Sequence, residues 1–401
     1  MKMEFQNVPV SEKLDSVVED SMKRVYAEAR RKKMRRAIAG CTAAAAVFGG
    51  GFFFCVSNPT LAAQLPLIGN IFRDMQDNFG YQGDYSNVGT PLEDPDVAAQ
   101  LETAENPEEM EQISQYTKTA DGLTVTLSEI YCNDQALYIT MQMKAEEALP
   151  DALSIQCMTR ENYSFNPTEQ ADSPVLEGEK IDDNTFAGLL RFDLNQKTQD
   201  VSEYQAAREE ALAAGEEWED DAQLWEYVKT VEVPDQFTVE LDISRIIGDL
   251  AETENESQNV LFDGPWSFTL EVEKDTASTQ TVMIQDVNEL GIGLEKVVKD
   301  KFEITMYEIY TEPEAQDVYM PVMLDADGRL MDYGSGGLVN TVAIGERDVS
   351  KVDVFLVDED KWMNELKGAK WKEPGAMTED GRTYKELLME ECAYQKEVVF
   401  E

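Results

Sequence analysis

The longest apolar stretch of the chain runs from residue 37 to residue 56 and contains no charged side chain. It reads AIAGCTAAAAVFGGGFFFCV. Twenty helical residues at about 1.5 Å per residue cover about 30 Å, the thickness of the hydrocarbon core of a bilayer. Ala and Gly contribute little transfer free energy, so the Phe, Val and Ile side chains supply most of it. The pattern predicts one transmembrane α-helix over residues 37–56.

Apolar and polar positions alternate from Tyr116 onward, which predicts β-strands. Leu123, Val125 and Leu127 alternate with hydroxyl side chains, a turn follows at residues 133–134, and alternation resumes over 136–143. Together these segments predict a β-hairpin. Further strands are predicted at 154–158, 185–194, 231–242 and 266–273. We therefore expect a β-sandwich unit over residues 116–275.

A second β-rich unit is predicted over residues 279–401. Its expected strands are 281–287, 302–310, 318–324, 339–344 and 352–357, followed by a helical piece at 361–367 and a closing strand at 393–400. The segment 325–328, Asp-Ala-Asp-Gly, lacks the spaced acidic ligands and the distal Glu of a calcium loop, so it predicts a hairpin turn. Residues 334–337, Gly-Ser-Gly-Gly, predict a flexible turn, since no strand-to-helix context for phosphate binding surrounds them.

A helix is predicted over residues 200–229, inserted into the first unit. Its apolar face, expected to pack on the sheet, is formed by Tyr204, Ala207, Ala211, Trp218, Trp225 and Val228. Ligand stacking by Trp218 and Trp225 is the alternative interpretation. The acidic run 216–221 is interpreted as a solvated face, with a calcium site as its alternative.

Two segments flank the predicted membrane helix. Residues 57–115 combine an apolar juxtamembrane piece at 58–72 with a polar, acidic stretch at 73–115 that has the composition of a flexible spacer. Residues 1–36 form a short arm in which Ser11 is a candidate N-cap. Four apolar residues of this arm recur at helical spacing and predict a partner-binding face: Leu14, Val17, Val18 and Val25. Anionic lipid or a cytoplasmic protein are its two candidate partners.

Charge is divided sharply along the chain. The net charge is −46, with 34 Lys and Arg against 80 Asp and Glu. Residues 1–36 hold 10 of these basic and 6 of these acidic residues, and 37–56 hold none, so residues 57–401 carry −50. This acidity argues against nucleic acid as a partner of the large C-terminal region, because polyphosphate requires a cationic face.

Six basic residues just before the apolar stretch determine the predicted topology: Arg30, Arg31, Lys32, Lys33, Arg35 and Arg36. Under the positive-inside rule they hold the N-terminus in the cytoplasm and leave residues 57–401 outside the plasma membrane. A cleaved signal peptide is the alternative, although 36 residues exceed a usual n-region and no A-x-A site follows Val56.

The chain contains no histidine, which narrows the possible chemistry. Ser-His-Asp and Cys-His nucleophiles and His-ligated zinc or haem are excluded. Five cysteines do not indicate a disulfide framework, and a single Cys132–Cys157 bridge is left as an alternative. We identify no catalytic, cofactor-binding or metal-binding residues and expect a protein that is not an enzyme.

Several motifs resemble one family of Gram-positive membrane proteins. They are the segment Val8-Pro9-Val10-Ser11-Glu12-Lys13-Leu14-Asp15, the basic run, the membrane helix, Asn58-Pro59, and Asp121-Gly122-Leu123-Thr124-Val125. Over residues 8–145 the chain resembles proteins grouped as domain of unknown function 4179. The resemblance implies a single-pass regulator of an extracytoplasmic-function sigma factor, without recognised catalytic residues or cofactors.

Two functional hypotheses follow from the sequence. In the first, the acidic ectodomain senses an envelope condition, its ligand being unidentified, and residues 1–36 bind a cytoplasmic sigma factor. In the second, the protein is a passive envelope module, and the arm serves only to set topology. The fold class expected in both is mainly β, with β-sandwich-like units, an inserted helix and one transmembrane α-helix.

Overall fold

The computed structural model describes residues 88–400, except 105, 151, 153, 216–226, 250–258, 332, 336–339, 346, 369, 370, 372 and 374. These residues fall within one compact unit, Leu67–Glu401. The predicted cytoplasmic arm and transmembrane helix, residues 1–56, lie outside the described residues. Among the helices of the described part, none has the length and apolar character needed to cross a membrane.

The described part is mainly β, as the alternating pattern predicts, and its strands pair antiparallel. The strands of the first half are β1 Thr90–Pro91, β2 Thr117–Ala120, β3 Leu123–Cys132, β4 Ala136–Ala145, β5 Ile155–Tyr163, β6 Gln170–Asp172, β7 Glu177–Lys180, β8 Thr185–Asp193, β9 Gln199–Asp200, β10 Lys229–Thr230, β11 Gln236–Gly248 and β12 Val260–Glu273. Those of the second half are β13 Gln280–Val287, β14 Ile292–Lys299, β15 Glu303–Tyr310, β16 Tyr319–Leu324, β17 Tyr333–Ser335, β18 Asn340–Ala343, β19 Lys351–Asp358 and β20 Tyr394–Val399.

Two sheets form the first sandwich. Sheet I has the order β1-β3-β4-β8-β7, with β2 also paired to β3, and sheet II has the order β12-β11-β5-β6. Their inner faces share one apolar core. In β12 every second residue from Trp266 to Val272 is buried and the residues between them are exposed. This period of two is what a sheet with one face on a core and one face in water requires.

Two further sheets form the second sandwich. Sheet III has the order β13-β14-β15-β18-β17, and sheet IV has the order β16-β19-β20. Ile304 and Met306 of β15 meet Val354 and Leu356 of β19 in their common core. The other face of sheet IV is covered by a cluster that contains Trp362 and Trp371. Sheet IV is therefore buried on both faces, and six consecutive residues of β19, Val352 to Val357, are buried.

Helices are short and lie outside the sheets. They are α1 Pro95–Thr103, α2 Pro107–Ile113, α3 Leu194–Lys197, α4 Ser202–Ala214, α5 Glu359–Lys361 and α6 Tyr384–Glu391. A 3₁₀ turn covers Pro313–Asp317, and α5 continues as a π-helical turn over Trp362–Leu366. The helical piece predicted at 361–367 thus begins two residues earlier and includes a π turn.

The predicted flexible spacer contains two helices. Helices α1 and α2 begin with Pro, whose φ suits the first helical turn. The Asn106 side chain caps α2 by accepting the Glu109 N–H at 3.0 Å. Leu101 and Met110 are buried against each other in a small cluster. Part of this acidic stretch is therefore ordered because an apolar contact and a cap compensate for its low hydrophobicity.

The described first part of the helix predicted at 200–229 is more exposed than expected, and residues 216–226 lie outside the described residues. Helix α4 ends at Ala214, and Gly215 closes it in the left-handed conformation. Tyr204, Ala207 and Ala211 are half-buried, whereas no residue of α4 is fully buried. The residues predicted to face the sheet are therefore the more buried ones of α4, but they are only partly covered by the rest of the protein. Trp218 and Trp225 lie outside the described residues.

Candidate functional site at the junction of the two sandwiches

The outer face of sheet I packs against the outer face of sheet III. Strand β4 buries Leu137 and Ile139 in the first core, so Ala136 and Tyr138 point to the opposite side. There they pack with Phe302, which precedes β15. The rings of Tyr131 and Phe302 meet edge to face at 5.5 Å between centroids. This apolar patch connects the two sandwiches.

A buried ion pair lies beside the patch. Arg191 of β8 donates Nε to Glu303 Oε2 and Nη2 to Glu303 Oε1, both at 3.0 Å. The Glu303 side chain is 0% exposed and the Arg191 side chain 10% exposed. Arg191 Nη1 also lies 3.8 Å from Asp193 Oδ2. Planar bidentate pairing of this kind is the strongest arrangement open to a guanidinium and a carboxylate.

A second buried carboxylate ties the hairpin turn to the second sandwich. Asp300 Oδ1 accepts the N–H groups of Phe302 and Glu303 at 2.7 and 2.9 Å. Its Oδ2 accepts Asn133 Nδ2 at 2.7 Å. Asn133 Oδ1 in turn accepts the Gln135 and Ala136 N–H groups at 2.8 Å each. The turn predicted at 133–134 is confirmed, and its Asn contacts both sandwiches.

Burial shifts the proton affinities of these groups. Desolvation raises the pKa of Asp300 well above its ordinary value, and the nearby Glu303 carboxylate raises it further. Desolvation also raises the pKa of Glu303, against the opposing effect of Arg191. Two acids are thus pushed toward the protonated form where the sandwiches meet. The junction therefore contains two acids that burial makes easier to protonate, and its groups include no activated nucleophile.

An open cleft of about 730 Å³ lies elsewhere, beside the π turn. It is lined by Tyr319, Asp358, Asp360, Lys361, Asn364, Glu365, Glu391, Cys392 and Ala393. Lys361 pairs with Glu391. The remaining carboxylates give the cleft an acidic character. Across the described residues, no group of three or more His, Cys, Asp or Glu is arranged to hold a metal ion.

The predicted hairpin turn at 325–328 is confirmed. Asp325 is buried, Gly328 has a φ of +76°, and Leu324 pairs with Leu330 across the turn. Asp325 Oδ2 contacts Arg329 Nε at 2.8 Å and Arg347 Nη1 at 3.2 Å. The Asp325 carboxylate therefore binds two guanidinium groups and stabilises the turn.

Most residues singled out in the sequence lie outside the described part. These are the partner-binding face Leu14, Val17, Val18 and Val25, the topology-determining residues Arg30, Arg31, Lys32, Lys33, Arg35 and Arg36, and the acidic run 216–221. Of the predicted turn at 334–337, Gly334 and Ser335 lie in β17 and the other two residues are outside the description.

The two cysteines of the suggested bridge, Cys132 and Cys157, are free thiols. Cys132 and Cys157 are both buried in the core of the first sandwich. Burial raises the pKa of Cys157 to about 12, so its thiol stays protonated at neutral pH.

Sequence reasoning missed the charged residues of the junction. Arg191 stands within the apolar run Leu189-Leu190-Arg191-Phe192, and Glu303 follows Phe302 at the start of a strand. A charge inside an otherwise apolar strand is a usable signal, because such a side chain must find a partner when it is buried. Such a charge therefore predicts that the residue has a charged partner, but the sequence does not identify that partner.

Glu308, on β15, offers a pH-dependent prediction. Burial raises the pKa of Glu308 to about 7, although Asn340 Nδ2 donates to its Oε1 at 3.1 Å. Because the pKa of Glu308 is higher in the folded protein than in the unfolded chain, its proton stabilises the folded protein at acidic pH. This contribution is lost as pH rises toward and through 7. Glu308→Gln should therefore stabilise the protein at pH 8 by about 2–3 kcal/mol and change little at pH 4.

Urea unfolding of the wild-type chain and of Glu308→Gln across pH 4–8 measures this difference. An exposed control is Glu295→Gln on β14, which should leave the pH dependence unchanged. Parallel pH profiles for the wild type and Glu308→Gln would show that Glu308 titrates at an ordinary value.

The fold and the junction define a mainly β protein of two stacked antiparallel sandwiches joined through buried acids. Residues 30–145 match the family model described as Domain of unknown function (DUF4179), the family to which the sequence motifs show resemblance. The match ends with β4 and so includes the hairpin turn that carries Asn133.

Among solved structures, the chain is similar to one described as the crystal structure of the conserved domain protein from Bacillus anthracis. That similarity has 14% identity and a TM-score of 0.37, and it covers 84% of this chain and 99% of that chain. No curated protein matches the sequence.

Proposed function

We propose that the protein is a membrane-anchored extracytoplasmic sensor whose cytoplasmic arm controls a sigma factor. One observation carries the proposal: a basic arm of 36 residues is separated by an uncharged 20-residue stretch from a large, acidic, mainly β body. This order matches a helix inserted with its positive flank inside the cell. The role is regulatory and non-catalytic, and the bilayer is the first partner.

The body offers features suited to sensing. The junction carboxylates Asp300 and Glu303, whose pKa burial raises, are the groups that would take up protons as external pH falls, and the acidic cleft beside the π turn is open to solvent. In the proposal, a change in the body reaches the arm through the single transmembrane helix. The arm's apolar face, formed by Leu14, Val17, Val18 and Val25, would contact the sigma factor, while its basic end faces anionic lipid.

The anchor and its orientation are tested first. A reporter that is active only outside the cytoplasm, fused after Thr60, should be active in cells. Replacing all six basic residues between Arg30 and Arg36 with Asn should remove most of this activity, because the charge asymmetry that sets orientation is lost. A reporter active only in the cytosol at that position, or a mature chain that begins after Thr60, would contradict the proposal.

The regulatory step is tested in the full-length protein. Sigma factors captured with the tagged chain should be identified by mass spectrometry, and they should disappear when Leu14, Val17 and Val18 are changed to Ser. The matched control is Glu12→Gln with Ser16→Asn, which lies on the opposite face of the proposed helix. If deleting residues 3–22 alters neither capture nor transcription, the protein is the passive envelope module instead.

A further inference from the structure

A buried lysine in the first sandwich contacts two carboxylates at once. Lys197, the last residue of α3, places Nζ 2.9 Å from Glu161 Oε2 and 3.0 Å from Asp172 Oδ2. The side chains of Lys197 and Glu161 are 3% and 1% exposed, whereas that of Asp172 is 30% exposed. Glu161 belongs to β5 and Asp172 to the neighbouring edge strand β6. Three separate elements therefore meet at one nitrogen atom.

Each of the three groups is held in place. The Lys197 carbonyl accepts Asn166 Nδ2 at 2.7 Å, which fixes the end of α3. Asp172 pairs with Thr159 across β5 and β6. Asp172 Oδ1 accepts the Ser173 N–H at 2.7 Å, which leaves Oδ2 to face the ammonium. The reacting atoms are thus positioned before any chemistry begins.

An aromatic group packs beside β5, the strand that carries Glu161. Tyr163 stands two residues after Glu161 on the same side of β5 and is 2% exposed. Its ring lies 5.3 Å from Phe165 and 6.2 Å from Phe237. Desolvation raises the pKa of Tyr163, and the Glu161 and Asp172 carboxylates raise it further. The cluster sits at the rim of the core, with Asp172 toward solvent.

We propose that Lys197 and Asp172 condense into an intramolecular amide in the folded protein, with Glu161 as the general acid and base. The cluster fits this better than a salt bridge alone, because a single ammonium is held between two carboxylates and one of them is almost fully buried. Amide formation from an amine and an acid is unfavourable in dilute water. Holding the two groups in contact removes much of the entropic cost of bringing them together, and effective molarities of well-oriented intramolecular reactions reach about 10⁵ M or more.

The step balances without any external reagent. A proton passes from the Lys197 ammonium to Asp172 Oδ2 along their 3.0 Å contact, which leaves a neutral amine facing a carboxylic acid. The Nζ lone pair then forms a bond to Cγ of Asp172, and Glu161 accepts a second proton from the nitrogen. Oδ1 carries the developing negative charge toward the Ser173 N–H, a backbone donor suited to an oxyanion. The Cγ–Oδ2 bond then breaks with its electron pair on oxygen. Glu161 gives its proton to this oxygen, which already carries the first proton, and the resulting water molecule leaves past the exposed side of Asp172.

Glu161 has the properties that this role needs. Desolvation raises the pKa of Glu161, against the opposing effect of Lys197. An acid whose pKa is raised holds a proton taken from nitrogen more readily than an ordinary carboxylate does and can return it to a departing oxygen.

Intact-mass spectrometry of the full chain, purified in detergent and then denatured, tests the proposal. The wild-type protein should be lighter than its sequence by the mass of one water. Proteolysis should yield a branched peptide joining the segment of Asp172 to that of Lys197. A wild-type mass equal to that of the unmodified sequence, in protein shown to be folded by circular dichroism, would overturn the amide.

Variants assign the roles. Asp172→Ala and Lys197→Arg should both show the full mass, and Asp172 is exposed enough for its variant to fold. Glu161→Gln should fold and leave most of the chain uncondensed. The matched control is Asp353→Ala, which removes a Lys–Asp contact of 2.6 Å between Asp353 and the more exposed Lys385 and should retain the mass deficit. A deficit that persists in Asp172→Ala refutes the assignment, and one that persists in Glu161→Gln refutes the role of Glu161.

Discussion

Replacing Arg191 with Met should lower the free energy of unfolding by about 3–5 kcal/mol, because Glu303 then remains buried without its charge partner. Glu303 is 0% exposed and receives two hydrogen bonds from the guanidinium, and the Met side chain can donate neither of them. Urea unfolding followed by circular dichroism and by Trp fluorescence measures the loss. Trp266 reports on the first sandwich, and Trp362 and Trp371 report on the second.

The control for this variant is an exposed pair of the same chemistry. Arg245 Nε lies 2.9 Å from Asp263 Oδ1, and both side chains are more than half exposed. Arg245→Met should therefore change stability by less than about 1 kcal/mol. The double variant Arg191→Met with Glu303→Leu should recover most of the loss, since neither charge is left buried. Equal effects of Arg191→Met and Arg245→Met would show that the junction pair is solvated.

The loss caused by Arg191→Met should also depend on pH. Burial already raises the pKa of Glu303, and removing the guanidinium raises it further. The folded protein then binds this proton more tightly than the unfolded chain does. Protonation of Glu303 therefore contributes to the free energy of unfolding at low pH, and this contribution is lost as pH rises. The deficit should accordingly be larger at pH 8 than at pH 5, and a deficit that grows on acidification contradicts this explanation.

Strand alternation predicted most of the β-structure because sequence and fold share the same period of two. The hairpin β3–β4, the closing strand β20 and the strands β8, β13, β16 and β19 lie within one or two residues of their predicted bounds. The domain boundaries inferred from the sequence stay a prediction. Whether a segment forms a strand or a helix follows from the local pattern of apolar residues. The stacking of sheet I on sheet III cannot be predicted in this way, because it involves contacts of individual residues, Arg191, Asn133 and Phe302, with partners far away in the sequence.

Strand β14 was missed for a physical reason. Its sequence Ile-Gly-Leu-Glu-Lys-Val-Val-Lys does not alternate, since the register shifts between Leu294 and Lys296. A bulge puts two residues of one strand opposite one of the next and so breaks the period of two. Helix α6 was missed too, although Thr383 and Glu386 form a capping box at its start.

The sequence did not predict the cluster of Lys197, Glu161 and Asp172, because strand β5 was predicted too short. Strand β5 was expected at 154–158 but extends to Tyr163, with Thr159, Glu161 and Tyr163 continuing the buried face. Extending the alternation would have placed Glu161 on an apolar face, where a carboxylate needs a cation. The cation that pairs with Glu161 is Lys197 of α3. This helix has four residues, too few to show a helical pattern of apolar positions in the sequence.

Trp266 should be the most sensitive apolar position of the first sandwich. It lies on β12, is 0% exposed, and donates Nε1 to the Leu123 carbonyl of β3 at 3.1 Å, so it connects sheet II to sheet I. Trp266→Ala should lower the free energy of unfolding by about 3–5 kcal/mol through lost burial and the cavity that remains. Trp266→Phe should cost about 1–3 kcal/mol, because the ring is kept and the buried carbonyl loses its donor. Urea unfolding followed by circular dichroism separates the two variants, with Thr269→Ala on the exposed face of β12 as the control. If Trp266→Phe proves as costly as Trp266→Ala, the hydrogen bond to β3 rather than the volume of the side chain holds the two sheets together.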